Sequence, residues 1–472
     1  MEFYTFQELK LDEFFAYYLT DPAKRGIFQA ISSAARDLEA GKRADFDFSV
    51  FDAPSQLQSK RPPSITASVT RMPIVDERID TKIKKDDQII LAGEKIPTFY
   101  GAKENAKEVS NLNEYAKLDK VPADKLGALI QAYCKLPRCF APLLLRTRDI
   151  GTGEKLKAFW EKYLLNKDPN ERFFRLIVGD ERNFIFPSDL TPFVRVIVET
   201  HASLQFLKEE ALFQEKFIDF IVTRCFYAMD SDLRGTIGVQ QFRKMDLAQI
   251  FYKAERMQDV NDSQHIFNYQ HFYVAFCKFW DLDGDSDGFI SKDDLLKFND
   301  SAISPVIIER FFKSTAYPRS TNRKKEIDFT SFAYFLMSSE DKTNLTSINF
   351  WYRLCDLDDD GLLSIKEIED LYHTQYERMR ITGNETIPFE DIFRQLIDMI
   401  NPEGAAYVTV QDLLKSKMAD VFFNTLFDLQ KFLIREYQFP LVNAELDEMT
   451  KKLSPWEVYV LIEYDQLVND GA

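Results

Sequence analysis

From residue 121 onward apolar side chains recur at three- and four-residue intervals, the spacing of packed helices. Phe272, Phe276 and Trp280 fall every four residues, with Phe279 beside them. Ile348, Trp351, Tyr352 and Cys355 follow an i, i+3, i+4, i+7 spacing, and Ile368, Leu371 and Tyr372 repeat it further on. Each run is one face of a helix. The pattern predicts two more helices over 6–41, where Phe14, Phe15, Tyr18 and Leu19 form one strip and Ile27, Ile31 and Leu38 another. From 46 to 120 the periodicity fails. Ser, Pro, Lys and Asp dominate there, with Arg61-Pro62-Pro63-Ser64 and a charged stretch from Lys82 to Asp87, the composition of a disordered linker. One apolar island interrupts it, Ile96-Pro97-Thr98-Phe99-Tyr100. Ile96, Pro97, Phe99 and Tyr100 either dock on a partner or pack on their own domain.

These shifts divide the chain into an N-terminal helical segment (1–45), a flexible linker (46–120), a helical domain (121–272), a loop-bearing domain (273–440) and a C-terminal helical tail (441–472). The class is mainly α. Few glycines, 16, and many phenylalanines, 42, favour packed helices over a β-sandwich. A length of 472 residues exceeds one core and points to two or three domains.

Between two of the periodic faces lies Asp356-Leu-Asp358-Asp-Asp360-Gly361-Leu-Leu363-Ser364-Ile-Lys-Glu367. A near twin stands upstream, Asp283-Gly-Asp285-Ser-Asp287-Gly288-Phe-Ile290-Ser291-Lys-Asp-Asp294. Both have the EF-hand frame: acids at positions 1, 3 and 5, a carbonyl at 7, a polar group at 9 and an acid at 12, which together make a hard-oxygen cage for calcium. Glycine at position 6 permits the turn that folds the acids inward. Position 8 is Ile290 in one loop and Leu363 in the other, the short strand residue of an EF-hand lobe. The bland alternative is an acidic turn between packed helices, and the apolar flanks argue against it. The two loops are unequal. Glu367 is long enough to offer calcium both oxygens, whereas Asp294 is one methylene shorter. The expectation is an affinity on the order of 10⁻⁷–10⁻⁵ M for the 356–367 loop and weaker binding at 283–294.

A worn repeat surrounds these loops. Asp230-Ser-Asp232-Leu-Arg234-Gly235-Thr-Ile237-Gly-Val-Gln-Gln241 keeps the frame, but Arg234 puts a cation in the cage and Gln241 replaces the last acid, so this loop should not bind calcium. Three stretches read as partner half-units: Ile266 to Phe272, Ile327 to Phe332 and Val408 to Leu413. The expected pairs are 230 with 266, 290 with 327 and 363 with 408. Asp149 to Trp160 is a weaker match to another worn unit.

The net charge of −16 argues against a nucleic-acid footprint or an anionic membrane partner. Neither a leader peptide at the start nor an apolar run of spanning length is evident. Five cysteines, mostly among apolar neighbours, read as buried reduced thiols of a cytoplasmic or nuclear protein. No catalytic motif stands out. Gly151-Thr-Gly153-Glu-Lys155 lacks the spacing of a phosphate loop and reads as a turn before the helix of Trp160. His201, His265, His271 and His373 are scattered, and His271 reads as a packed residue. Cys134 and Cys139 are poorly spaced for zinc.

The aromatic run from Tyr269 to Asp283 resembles the hallmark stretch of the B-double-prime regulatory subunits of protein phosphatase 2A. Ile307 to Phe312, Glu340 to Trp351, Lys417 to Phe423, Trp456 to Val468 and the Ile96 to Tyr100 element are similar to further segments of that family, over roughly residues 95 to 470. The resemblance implies a noncatalytic subunit that docks on a helical-repeat scaffold subunit, contacts the catalytic subunit, selects phosphoserine and phosphothreonine substrates, and is tuned by calcium at two EF-hands. It implies ligands at Asp283, Asp285, Asp287, Phe289 (carbonyl), Ser291 and Asp294, and at Asp356, Asp358, Asp360, Leu362 (carbonyl), Ser364 and Glu367. It implies a cytoplasmic, nuclear or centrosomal location. Calcium bridging Asp356 and Glu367 would set the angle between the flanking helices. Two other classes compete: a calcium sensor or adaptor with unrelated protein targets, and an enzyme with appended EF-hands. The first has no use for so much worn helical repeat, and the second needs a catalytic constellation.

Overall fold

The computed structural model describes residues 102–179, 182–260, 266–313, 326–404, 407–438 and 453–470. The helices expected over 6–41, the Ile96 to Tyr100 element and His265 lie outside the described residues. The first helix, α1 (Ala102–Tyr115), falls within the stretch expected to be linker up to residue 120. Among its described side chains, Leu112 and Glu108 alone are strongly buried, 1% and 2% exposed. A helix held by one leucine and one glutamate carries almost no apolar periodicity, which is why composition alone reads it as linker.

Helices α2 (Ala123–Cys134), α3 (Ala141–Thr147) and α4 (Gly153–Tyr163) follow. Thr152 caps α4 by accepting the Lys155 N–H, so Gly151 to Lys155 is the turn before Trp160 that the spacing implied, and the stretch shows no worn EF-hand unit.

Three EF-hand pairs come next, each tied by a two-residue antiparallel ribbon. In the first pair, α5 (Pro169–Val178), β1 (Phe184–Ile185) and α6 (Pro187–Thr200) form one hand. The other is α7 (Ala211–Met229), β2 (Ile237–Gly238) and α8 (Val239–Met245), with α9 (Leu247–Ala254) behind it. Ile185 faces Ile237 across the ribbon. The partner of the 230–241 loop is therefore upstream, not at 266 as the sequence pattern suggested. With Ile185 at position 8 of that hand, position 1 is Val178 and position 5 is Arg182, so the acid frame that would have flagged it is missing. Phe267 instead packs on Phe251 at 5.4 Å, and Asn268 caps the next helix.

The second pair contains α10 (Tyr269–Leu282), β3 (Ile290–Ser291), α11 (Lys292–Leu295), α12 (Pro305–Lys313), β4 (Glu326–Ile327) and α13 (Phe329–Glu340). The third contains α14 (Leu345–Cys355), β5 (Leu363–Ser364), α15 (Ile365–Ile381), α16 (Phe389–Ile400), β6 (Tyr407–Val408) and α17 (Val410–Ser416). Ile290 pairs with Ile327 and Leu363 with Val408, both as the repeat predicted. Helix α10 runs unbroken through the boundary expected at 272/273, so no domain junction falls there. Helices α18 (Ala419–Phe427), α19 (Leu429–Gln438) and α20 (Pro455–Asp470) complete the described chain, the last being a helix of the expected tail.

The abundant phenylalanines form a continuous seam through the pairs. Phe220 of the first pair lies 5.9 Å from Phe272 of the second, Phe279 meets Phe329 at 5.5 Å, and Phe311 meets Phe350 of the third at 5.7 Å. Edge-to-face geometry dominates, which suits the quadrupole of facing rings. Among the described residues no helix is long and apolar enough to cross a membrane.

Candidate metal centres

All three acid-bearing loops share one backbone device. The position 1 carboxylate turns back and accepts the N–H groups of positions 5 and 6. Asp356 accepts from Asp360 and Gly361 at 3.1 and 2.8 Å, Asp283 from Asp287 and Gly288 at 3.2 and 2.9 Å, and Asp230 from Arg234 and Gly235 at 3.0 and 2.6 Å. Gly288 and Gly361 have φ of +81° and +86°. A Cβ would meet no atom within 4 Å at either position, so glycine is needed there for its backbone conformation and not for space.

In the 356–367 loop, carboxylate oxygens of Asp356, Asp358 and Glu367 lie within 4.8 Å of one another. Glu367 spans the loop. One oxygen accepts the Leu357 N–H at 2.6 Å, and the other accepts the Ser364 N–H and hydroxyl, each at 2.8 Å. Asp360 turns to the Leu362 N–H at 2.7 Å and stands outside that cluster. Burial, followed by the nearby charges of Glu367 and Asp360, pushes the Asp356 carboxyl up against the backbone bonds that pull it down. Such a cage lacks positive charge.

In the 283–294 loop the cluster is Asp283, Asp285 and Asp287. Asp294 is not brought to it. One of its oxygens accepts from Ser291 Oγ at 2.6 Å and the other from Lys297 Nζ at 2.9 Å. Burial opposes ionisation of Asp294, but Ser291 and Lys297 outweigh it and hold its carboxyl below the usual range. The missing methylene therefore has a visible outcome: Glu367 crosses its loop, and Asp294 stays with its own helix start.

In the 230–241 loop the Arg234 guanidinium pairs with Asp232 at 2.9 Å, and Gln241 accepts the Gly238 N–H at 3.1 Å. The neutral amide of Gln241 thus reproduces the bond that Asp294 and Glu367 make to the position 9 N–H, while the Arg234 cation answers the charge of Asp232.

Sequence reasoning missed two supporting residues. Tyr352 is the first. Its hydroxyl accepts the Leu363 N–H at 3.0 Å and sits 2.8 Å from the Val408 carbonyl, so one side chain of the incoming helix spans both strands of the ribbon. The second is Arg310 on α12. It reaches the carbonyls of Arg353, Asp356 and Leu357 and the carboxylate of Asp359. A tyrosine four residues ahead of the loop is readable as a signal, whereas nothing in the spacing marks Arg310.

Among the described residues the histidines form no site. His271 is 2% exposed, and its Nδ1 accepts the Trp456 indole N–H at 2.8 Å, as expected of a packed residue. The five cysteines are free, and Cys134, Cys225, Cys277 and Cys355 are buried.

A model of the EF-hand domain matches residues 168–256, the first pair with its worn loop. The chain is 34% identical to the human B''-beta regulatory subunit of serine/threonine-protein phosphatase 2A, over 79% of this chain and 68% of that protein. It is 34% identical to the mouse B''-delta regulatory subunit of the same phosphatase, over 72% of this chain and 70% of that protein. It is also similar to a solved chain described as a PP2A PR70 holoenzyme and marked diCa, with 37% identity and a TM-score of 0.53, covering 56% of this chain and 98% of the other.

Proposed function

The chain belongs to the B'' family of serine/threonine-protein phosphatase 2A regulatory subunits, and from that premise we propose that its two complete EF-hands make it a calcium-tuned one. It is a regulatory, noncatalytic subunit of the holoenzyme. It docks on the scaffold and catalytic subunits, selects phosphoprotein substrates and works in the cytoplasm, nucleus or centrosome. Ile96, Pro97, Phe99 and Tyr100 contribute to docking.

The donor set fits calcium. Asp356, Asp358 and Glu367 bring hard carboxylate oxygens together, with Asp360, Ser364 and the Leu362 carbonyl at the remaining loop positions. Asp283, Asp285 and Asp287 do the same upstream, with Ser291, Asp294 and the Phe289 carbonyl completing that set. Bound calcium supplies the positive charge that these crowded acids lack. The chain's own work is positional. Glu367 ties the first turn of α15 to the start of the loop, Tyr352 holds the ribbon behind it, and α15 thereby takes its angle from the loop. Affinity is tighter at 356–367 than at 283–294.

The observation that carries this reading is the reach of Glu367 across its loop, set against the retained Asp294. The experiment is affinity capture of the scaffold and catalytic subunits from cell extract, with calcium and with chelator. It compares the wild-type chain with Asp356→Ala/Glu367→Gln. Recovery that differs between the two conditions for wild type, and not for the variant, supports calcium tuning. Equal recovery everywhere defeats the tuning, and no recovery anywhere favours a sensor with other targets.

A further inference from the structure

We propose that Arg310 is a positioning residue for the downstream calcium loop and that it makes the two calcium sites thermodynamically linked. The inference rests on the calcium reading above. Arg310 lies on α12, in the second EF-hand pair. Its guanidinium crosses to the third pair and donates to the carbonyls of Leu357 at 3.2 Å, Arg353 at 3.3 Å and Asp356, and to the Asp359 carboxylate at 2.9 Å. Arg353 and Asp356 end the incoming helix α14, and Leu357 and Asp359 begin the loop.

The last carbonyls of a helix have no partner within it. A cation there satisfies them and complements the helix dipole. One planar fork meets three backbone carbonyls and one carboxylate, holding positions 1, 2 and 4 of the loop and with them the path of positions 1 to 4. Asp356 and Asp358 are two of those four positions, and they belong to the acid cluster. Lysine, a single point donor, cannot replace the fork.

The same residue looks back to the upstream site. Helix α12 packs directly against α11, which carries Asp294, the twelfth residue of the 283–294 loop. The ribbon Ile290–Ile327 joins the two hands of that pair. A change at Asp294 thus reaches the helix that carries Arg310 through one packed contact, and Arg310 passes it to the downstream acids. Linkage of this kind is reciprocal: whatever calcium upstream does to downstream affinity, the reverse holds by the same factor.

The test is calcium titration by calorimetry on the full chain, in wild type, Arg310→Gln, Arg310→Lys and Asp359→Asn. Each is measured alone and with the upstream site disabled by Asp283→Ala/Asp287→Ala. Asp359 is exposed, so its variant leaves the core untouched, and melting in chelator checks that the others fold. In wild type, disabling the upstream site is expected to weaken the downstream one about tenfold. In Arg310→Gln the downstream affinity falls about tenfold at once, and the upstream variant then has no further effect. Arg310→Lys behaves like Arg310→Gln, and Asp359→Asn falls between. A folded Arg310→Gln chain with unchanged or tighter downstream binding overturns the positioning role, because charge repulsion would then dominate. An upstream effect of the same size with and without Arg310 overturns the linkage. If wild type takes up no calcium, the calcium reading itself fails, and the two failures are distinct.

Discussion

Glu108 and Arg172 form a two-pronged ion pair, 2.8 and 3.0 Å, between helices 64 residues apart in sequence, and both side chains are sealed from solvent. The Trp160 indole N–H donates to the same Glu108 oxygen at 2.6 Å, and Arg172 also reaches the Tyr133 and Lys167 carbonyls. A buried pair so fully hydrogen-bonded specifies where α1 docks. Removing one partner strands the other charge, at a cost of about 3–5 kcal/mol. Glu108→Ala is expected to lower chain stability by that amount in chemical denaturation, whereas a truly flexible linker would tolerate the change.

Exchanging the twelfth loop residues should exchange the order of affinities. Glu367→Asp is expected to weaken the downstream site about tenfold, and Asp294→Glu to tighten the upstream site by a similar factor, read by calorimetry. An upstream site tighter than the downstream one in the wild-type chain would contradict the ranking drawn from Asp294's bonds to Ser291 and Lys297.

The worn loop is two side chains away from working. Asp230 already accepts the N–H groups of positions 5 and 6, as its calcium-loop counterparts do. Arg234→Asp with Gln241→Glu is expected to add a third equivalent of calcium in the same titration. Arg234→Asp alone should raise local repulsion with Asp232 and lower the melting temperature in chelator by a few degrees, about 1 kcal/mol or less for so exposed a pair.

Acid should loosen the docking of the tail helix. Burial, and then the charge of Arg224, hold the His271 imidazole well below its ordinary value of 6.5. Its Nδ1 is the acceptor for Trp456 and so must be unprotonated. With the folded value depressed and the unfolded value ordinary, the unfolded chain binds the extra proton as pH falls below 6.5. Stability is full above that point and declines as pH drops towards the folded value. Melting curves between about pH 7.5 and about pH 5 should show this decline in wild type and a shallower one in His271→Gln, which keeps an acceptor for the indole.

The two acidic loops were legible because their pattern is local: twelve consecutive residues state the acids, the turn and the strand. The pairing of Ile290 with Ile327 and of Leu363 with Val408 was legible for the same reason, since apolar residues ahead of helix starts recur at a fixed spacing. The first hand was not, because valine and arginine stand where the acids of loop positions 1 and 5 would be. Helix α1 was hidden because its anchor is a glutamate, which any pattern of apolar positions scores as surface. Arg310 was hidden because its partners are backbone carbonyls more than forty residues away, and backbone atoms leave no mark on a sequence.

Helix α14 is roped to the worn 230–241 loop and the helix that leads into it. Thr346 donates to the Tyr227 carbonyl at 2.8 Å, Asn349 to Ser231 at 2.8 Å and Arg353 to Asp232 at 2.6 Å. The arm leading into the 356–367 loop is therefore bolted to a foundation that lacks the full set of acids. Any opening of the hand has to be expressed by the opposite arm, α15, which at 17 residues is roughly 25 Å long. A lever of that length, swung about one stationary pivot, carries its far tip about 4 Å for roughly every 10°. That tip holds Arg378, bonded to the carbonyls of Ser301 and Ala302, so the first thing such a stroke would tear is the clasp between the second and third EF-hand pairs.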